Sequence, residues 1–247
     1  LSEPEIVTQK RLIDLLSQTM DYDYLGEWKD RENNSNIEEA YLKQNLTQRG
    51  YNDAQISRAI ELLKRETANS QKNLYQRNQD VYGLLRYGVP VKTDPSQPTE
   101  TVHLVDWNDP SANHFAVAEE VTLKGNLERR PDLVFYINGI AIGVLELKRS
   151  KVAITEGIRQ SISNQQPRFN EWFYPTVQFV MAGSDAEGLR YGTIGTPEPF
   201  FLSWKEDEDA DDGYLIDKYL GKIFEKERLL ELIKDFVLFD GGIKKLP

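Results

Sequence analysis

Residues 129 to 150 read RRPDLVFYINGIAIGVLELKRS and carry the residue types most able to do chemistry in this chain. Asp132 opens one apolar run. Glu146 and Lys148 stand near the end of a second, and Asn138-Gly139 separates the two. Glu146 and Lys148 are two apart, so on a strand they share one face. A carboxylate and an ammonium buried there cost several kcal/mol each unless paired or bound to something. Two carboxylates brought together repel, and a divalent cation relieves that repulsion. Mg²⁺ suits the task because it takes oxygen ligands and keeps waters. A bound Mg²⁺ sharpens a water nucleophile and stabilises charge on a phosphate. Lys148 beside it would orient the water or meet the phosphate. That is equipment for phosphodiester hydrolysis. A strand-end ion pair would use the same residues, and Glu-x-Lys alone is weak, since it recurs at Glu27-Trp28-Lys29 in what reads as an exposed loop. The combination of Pro-Asp, an apolar hairpin and Glu-x-Lys is what favours chemistry, and both readings stay open on the residues alone.

The hairpin constrains that chemistry. Asn-Gly is the strongest two-residue turn signal. A strict two-residue turn pairs Ile137 with Ile140 and carries Asp132 to Leu145, on the face opposite Glu146 and Lys148. Ile142 and Val144 are expected on the Glu146 face. A shared site therefore requires a one-residue offset, expected to bring Asp132 across from Val144. Its expected source is an odd-length loop with Gly139 at positive φ, or a bulge or bend near Pro131-Asp132, in place of the simple turn.

Other chemistries lack their residues. His103 and His114 have no metal-ligand spacing, no Ser sits in a G-x-S-x-G elbow, and GLLRYG lacks the Lys and Ser/Thr of a phosphate loop. DRENNS lacks the glycine of a calcium loop, and Tyr41 stands where its bidentate Glu belongs. Cys is absent, which excludes disulfides and thiolate metal sites and makes a reducing cytoplasm the simple expectation. No apolar run reaches the ~18 to 20 residues of a membrane span. The start, LSEPEIVTQK, does not read as a signal peptide and carries no initiator Met, so a trimmed terminus or a cloning remnant is expected. With a net charge of −10, the 247-residue chain is a poor candidate for broad, nonspecific nucleic-acid binding.

The elements that must position these residues follow from periodicity. Ser2 with Glu5 fits a capping box at the start of a first helix, which Ile6, Ile13 and Leu16 continue. Further helices are expected around Ile37 to Leu46, from Asn52 with Gln55, and from about Asn73 to Tyr87. Strands are expected at 101–107, 114–123, in the two hairpin arms, and at 175–183, 188–194 and 200–206, with a helix from Thr155 to Gln165. EDEDADD, 206–212, reads as a solvated acidic loop, and 214–239 reads as helical. The order favours one α/β core with helical flanks. The expected divisions are a helical region at 1–92 packed on the core, the core at 93–206, and an acidic loop with C-terminal helices at 207–247.

RPDLVFYINGIAIGVLELK resembles the Pro-Asp…Glu-x-Lys nuclease core of restriction (R) subunits of type I restriction-modification enzymes. So do DYLGEWKDRENNSNIEE, LLRYGVPVK, VHLVDWNDP, FAVAEEVTLKG, LELKRSKVAITEGIRQSISNQ and FVMAGSDAEGLRYGTIGTP. The resemblance covers nearly the whole chain. It implies a restriction-endonuclease-like fold, a mixed sheet flanked by helices, and a Mg²⁺-dependent endonuclease acting on double-stranded DNA. It also implies methylation and specificity subunits as partners, and an ATP-driven motor that is not in this sequence. FDGGIKKLP stands where such a motor should begin, so an N-terminal fragment is implied. Asp132 and Glu146 would be metal ligands and Lys148 the catalytic lysine. Gln160 matches the Gln of the family's Gln-x-x-x-Tyr motif, and Asn164 stands in place of its Tyr. Glu5 is a candidate for an added acid from an early helix, although a capping box explains it equally well. Beside this stand a non-catalytic docking module of nuclease-like fold and a stand-alone repair-type nuclease.

Overall fold

The structure is a computed structural model that describes residues 3–204 and 213–246. Helix α1 (Glu3–Asp14) runs into a single π-helical turn at Leu15–Thr19 and then into strand β1 (Asp23–Glu27). Helices α2 (Glu39–Gln48), α3 (Asp53–Thr67) and α4 (Leu74–Tyr87) follow. The expected capping box of Asn52 with Gln55 is present, and Asn73 with Gln76 forms a second, so two helix starts are dictated locally. Strands β2 (Val89–Val91) and β3 (Glu100–Val102) pair as a small ribbon. The core strands are β4 (Phe115–Glu119), β5 (Leu133–Ile137) and β6 (Ile140–Leu147). Helix α5 (Ile154–Asn164) leads to β7 (Phe179–Ser184), β8 (Gly188–Gly192) and β9 (Leu202–Ser203). Helices α6 (Leu215–Ile223) and α7 (Lys226–Asp235) precede a last hairpin, β10 (Leu238–Asp240) with β11 (Ile243–Lys245).

Among the described residues, seven strands make one mixed sheet in the order β1-β4-β5-β6-β7-β8-β9. β1 is parallel to β4, and β6 is parallel to β7 through the α5 crossover. The other neighbours are antiparallel. This mixed sheet flanked by helices is the architecture the resemblance implied. The strand in the first third was not expected, because that third reads as helical. Trp28, taken for part of an exposed loop, is buried, and its backbone N–H donates to Glu119 O at 2.8 Å. The Ser2 half of the proposed capping box and the acidic stretch EDEDADD lie outside the described residues. No helix among the described residues is long and apolar enough to cross a membrane.

Alternation along the central strands fills two separate cores. Leu133, Phe135, Leu145, Leu147, Phe179 and Met181 point to the larger one, where α1 supplies Leu12, the π-helical turn Leu16, and α6 Leu220 and Ile223. Val134, Tyr136, Val144, Val180 and Ala182 point to the smaller one, covered by Ile154 and Ile158 of α5 and by Phe173 and Tyr174. Asp132, Glu146 and Lys148 follow the parity of Val134 and Val144. All three belong to the α5 face.

Candidate active site

The hairpin reaches that arrangement by another route than the sequence suggests. Asn138 (φ 52°) and Gly139 (φ 77°) form the simple two-residue turn, and Ile137 pairs with Ile140. The turn is locked from outside. Asn138 is fully buried, its Nδ2 donates to Leu104 O at 2.9 Å, and its Oδ1 accepts from His114 N at 2.7 Å. The offset lies farther along, inside β6. Tyr136 pairs with Ala141 while Phe135 pairs with Gly143, so Ile142 is one residue too many. It joins the larger core, on the Leu145 side, and not the Glu146 face as expected. Gly143 lies on that side too, where a Cβ would meet Phe224 at 3.4 Å and Phe135 at 3.5 Å. With Leu133 opposite Leu145, the register carries Asp132 to Glu146, not to Val144. The bulge is in the second strand; Pro131-Asp132 and the loop do not supply it.

Both acids are deeply buried. Glu146 is 2% exposed and Asp132 6%. Asp132 Oδ2 accepts the Leu147 N–H at 2.5 Å. Glu146 Oε2 accepts from Gln160 Nε2 at 2.7 Å, and its Oε1 accepts from Asn164 Nδ2 at 2.9 Å. Lys148 Nζ donates to Gln160 Oε1 at 2.8 Å. Gln160 therefore ties the acid to the ammonium with its two amide ends. Its assignment rests on the only donor pattern that suits both partners. Gly157 makes room for the Lys148 stem, since a Cβ there would stand 3.2 Å from Lys148 Cγ. Helix α5 is anchored at its start by Glu187, which accepts the Ile154 N–H at 2.9 Å.

Desolvation first, and the neighbouring Asp132 charge second, push the Glu146 carboxyl well above the usual carboxylate range. Lys148, the Asn164 hydrogen bond and Arg129 work in the opposite direction. Burial pushes Asp132 up to about 7, against the Leu147 hydrogen bond and the Lys148 charge. Glu120 and Glu5 add to that rise, so both stand near enough to act on Asp132. Glu5 reaches this end of the sheet, where its Oε1 accepts the Arg149 N–H at 3.1 Å. Glu120 holds a left-handed backbone (φ 51°), pairs with Arg130 at 2.6 Å, and its N–H donates to Asp132 O at 2.9 Å.

Two buried acids, of which Asp132 raises Glu146, with oxygen donors alone, are a fit for a hard cation. Among the described residues no three His, Cys, Asp or Glu are grouped to hold a metal. Mg²⁺ is commonly held by one or two carboxylates, with waters and substrate phosphate completing its shell. The two histidines take no part. His114 Nε2 lies 3.0 Å from Asp23 Oδ2 and its ring stacks on Tyr41.

Asp132, Glu146, Lys148 and Gln160, proposed from sequence, thus meet at one place. Asn164 was seen only as a mismatch in a motif, yet it is a direct partner of Glu146. Its i,i+4 spacing from Gln160 on α5 was the signal. Tyr174 gave no signal. Its fully buried hydroxyl is acted on by the Glu146 charge and the Asn164 amide. Neither that hydroxyl nor Asn164 Oδ1 has a partner at hydrogen-bonding geometry.

Residues 2–200 match the family model described as the type I restriction enzyme R protein N terminus. The chain is 27% identical over 210 residues to the putative type I restriction enzyme MjaIXP endonuclease subunit of Methanocaldococcus jannaschii, covering 74% of this chain and 20% of that protein. It is 27% identical over 192 residues to the type I restriction enzyme HindI endonuclease subunit of Haemophilus influenzae, covering 72% of this chain and 18% of that protein. The chain spans about a fifth of the length of these relatives. On the family match, which takes in the whole Asp132–Glu146–Lys148 site, the chain belongs to the type I restriction enzyme R protein N-terminal family.

Proposed function

We propose that this chain is the Mg²⁺-dependent endonuclease module of a type I restriction enzyme, hydrolysing phosphodiester bonds of double-stranded DNA. The observation that carries the reading is the buried Asp132–Glu146 pair on one sheet face, with Gln160 linking Glu146 to Lys148. A divalent cation bound by Asp132 and Glu146 would activate a water and offset charge on the phosphate. The Leu147 N–H holds the Asp132 carboxylate in place. Gln160 and Asn164 fix both Glu146 oxygens, so its orientation is set before substrate arrives. Lys148, aimed by Gln160, is available to orient the attacking water or to meet a phosphate oxygen.

The relatives' names describe endonuclease subunits several times longer than this chain. We read residues 93–206 as the body of the nuclease core, to whose sheet 1–92 adds strand β1 and on which the rest of 1–92 packs. We read 207–247 as leading to an ATP-driven motor in the longer protein. Translocation by that motor would bring DNA to the site. Methylation and specificity subunits would be the partners and the cytoplasm the place. The acidic chain agrees with a division of labour in which other parts grip most of the DNA.

A second reading, a non-catalytic docking module, draws on the self-contained Lys148–Gln160–Glu146–Asn164 network, which a structural polar core would also form. One experiment separates the two. In the assembled enzyme, Asp132→Ala, Glu146→Ala and Lys148→Ala should each abolish DNA cleavage and leave ATP hydrolysis and translocation unchanged. Normal cutting by all three variants would leave the docking reading standing.

A further inference from the structure

Arg129 and Arg130 precede the Pro-Asp motif, and their side chains are used differently. Arg130 Nε lies 2.6 Å from Glu120 Oε2. The Arg129 guanidinium instead lies over the Phe169 ring, its Cζ 3.8 Å from the centroid. Among the described residues no carboxylate pairs with Arg129, and its buried Nε has no hydrogen-bond partner. Arg168 lies over the same ring at 4.8 Å, which brings a second guanidinium to this spot in a chain of net charge −10.

The seat is built and not incidental. Leu123 and Arg129 exchange backbone hydrogen bonds of 2.8 and 3.2 Å, closing the loop between them. Gly125 lets that loop approach, since a Cβ there would stand 2.5 Å from Phe169 O. Asn170 Nδ2 donates to Leu123 O at 3.1 Å, and the Asn170 N–H donates to Asn164 O at 3.1 Å. Asn164 in turn holds Glu146. A short run of contacts thus joins the ring beneath Arg129 to the carboxylate of the site. Consistent with that proximity, the Arg129 charge opposes the rise of the Glu146 carboxyl.

A guanidinium stacked on a ring keeps its in-plane donors, and stacking fixes its orientation in advance. Its fork matches two oxygens of a phosphate. We propose that Arg129, seated on Phe169, binds a backbone phosphate of DNA beside the Asp132–Glu146 pair. This rests on the nuclease reading and assigns one contact within it.

The test uses the 247-residue chain and a fluorescent DNA duplex of arbitrary sequence, with binding followed by anisotropy over a series of salt concentrations. Arg129→Gln should weaken binding about tenfold at low salt, and the slope of log affinity against log salt should shrink by about one. Arg129→Lys, which keeps charge but loses the fork, should fall between. Lys43→Gln on α2 removes equal charge far along the chain and should leave the slope unchanged. Arg129→Met, which keeps a stem over Phe169, replaces the Gln variant if that variant melts early. An unchanged slope in Arg129→Gln, an equal loss in Lys43→Gln, or no duplex binding by the wild-type chain at low salt would each overturn the proposal. Cleavage by Glu146→Gln in the assembled enzyme reports on the nuclease reading separately. Wild-type cutting there removes both. A dead Glu146→Gln enzyme with an unchanged Arg129→Gln slope removes this proposal alone.

Discussion

Asp132 comes opposite Glu146 because Ile142, four residues before Glu146, is an extra residue in β6. Without it the two-residue turn would aim Asp132 at the core that holds Leu145. The bulge is held from both sides of the strand. Ile142 packs into the larger core, and its carbonyl accepts the Gln178 N–H at 2.8 Å as β7 begins to pair. Two acids confined this way have consequences that can be measured.

The first concerns pH. The Asp132 carboxyl is pushed up to about 7, and Glu146 moves in the same direction. The folded chain therefore holds a proton that the unfolded chain has released above about pH 4. Stability from this source is fully present below that pH, falls as pH climbs to about 7, and then levels off. Asp132→Asn removes the share of the dependence that belongs to Asp132 and leaves that of Glu146. Without divalent metal it should match the wild type near pH 4 and exceed it at pH 8, by up to about 4 kcal/mol. Urea melts at the two pH values measure this, and a variant less stable at pH 8 would refute it.

The second concerns metal. A cation that binds the charged pair favours the folded state by mass action, about 2.7 kcal/mol at a hundredfold excess over its dissociation constant. Millimolar Mg²⁺ or Mn²⁺ should raise the melting temperature at pH 8. Glu146→Gln, which keeps the shape and loses the charge, should abolish the rise. A melting curve that metal does not move in the wild type would count against a preformed site.

The third concerns Tyr174. Its hydroxyl is buried and lacks a partner at hydrogen-bonding geometry. Tyr174→Phe removes an unsatisfied group and leaves the ring packed among Phe173 and Val177. Stability should be unchanged or higher by about 1 kcal/mol. A loss larger than that in a denaturant melt would mean that the hydroxyl supports Asn164, and through it Glu146.

The fourth concerns the turn. Gly139 sits at φ 77°, and a Cβ there would lie 2.5 Å from Glu38 O. Gly139→Ala adds the strain of a left-handed alanine to a clash with backbone, so it should cost about 2 kcal/mol or more. A thermal melt within error of the wild type would show that the turn is free to shift. Loss of the Glu38 N–H to Gly139 O bond, 2.7 Å, should be visible as faster exchange of that amide.

The residues of the candidate site were legible because their types and local spacing carry the chemistry. Asp132, Glu146 and Lys148 stood out as charges in apolar runs, whereas Gln160 came only through the resemblance to the family's Gln-x-x-x-Tyr motif. The start of α3 at Asn52 with Gln55, the start of α4 near Asn73 and the Asn-Gly turn signal were legible for the same reason, since each is settled within a few residues, although the simple turn itself was expected not to form. What local spacing does not carry is side-chain parity along a strand. One inserted residue inverts it. Whether that residue is Ile142 or one near Pro131 depends on two cores, one on each face, that distant helices and strands fill. The same holds for Arg129 on Phe169, for Asn164 on Glu146 and for the burial of Tyr174. Each joins segments ten to forty residues apart, so packing and desolvation across the sheet decide them, and no property of either segment alone announces them.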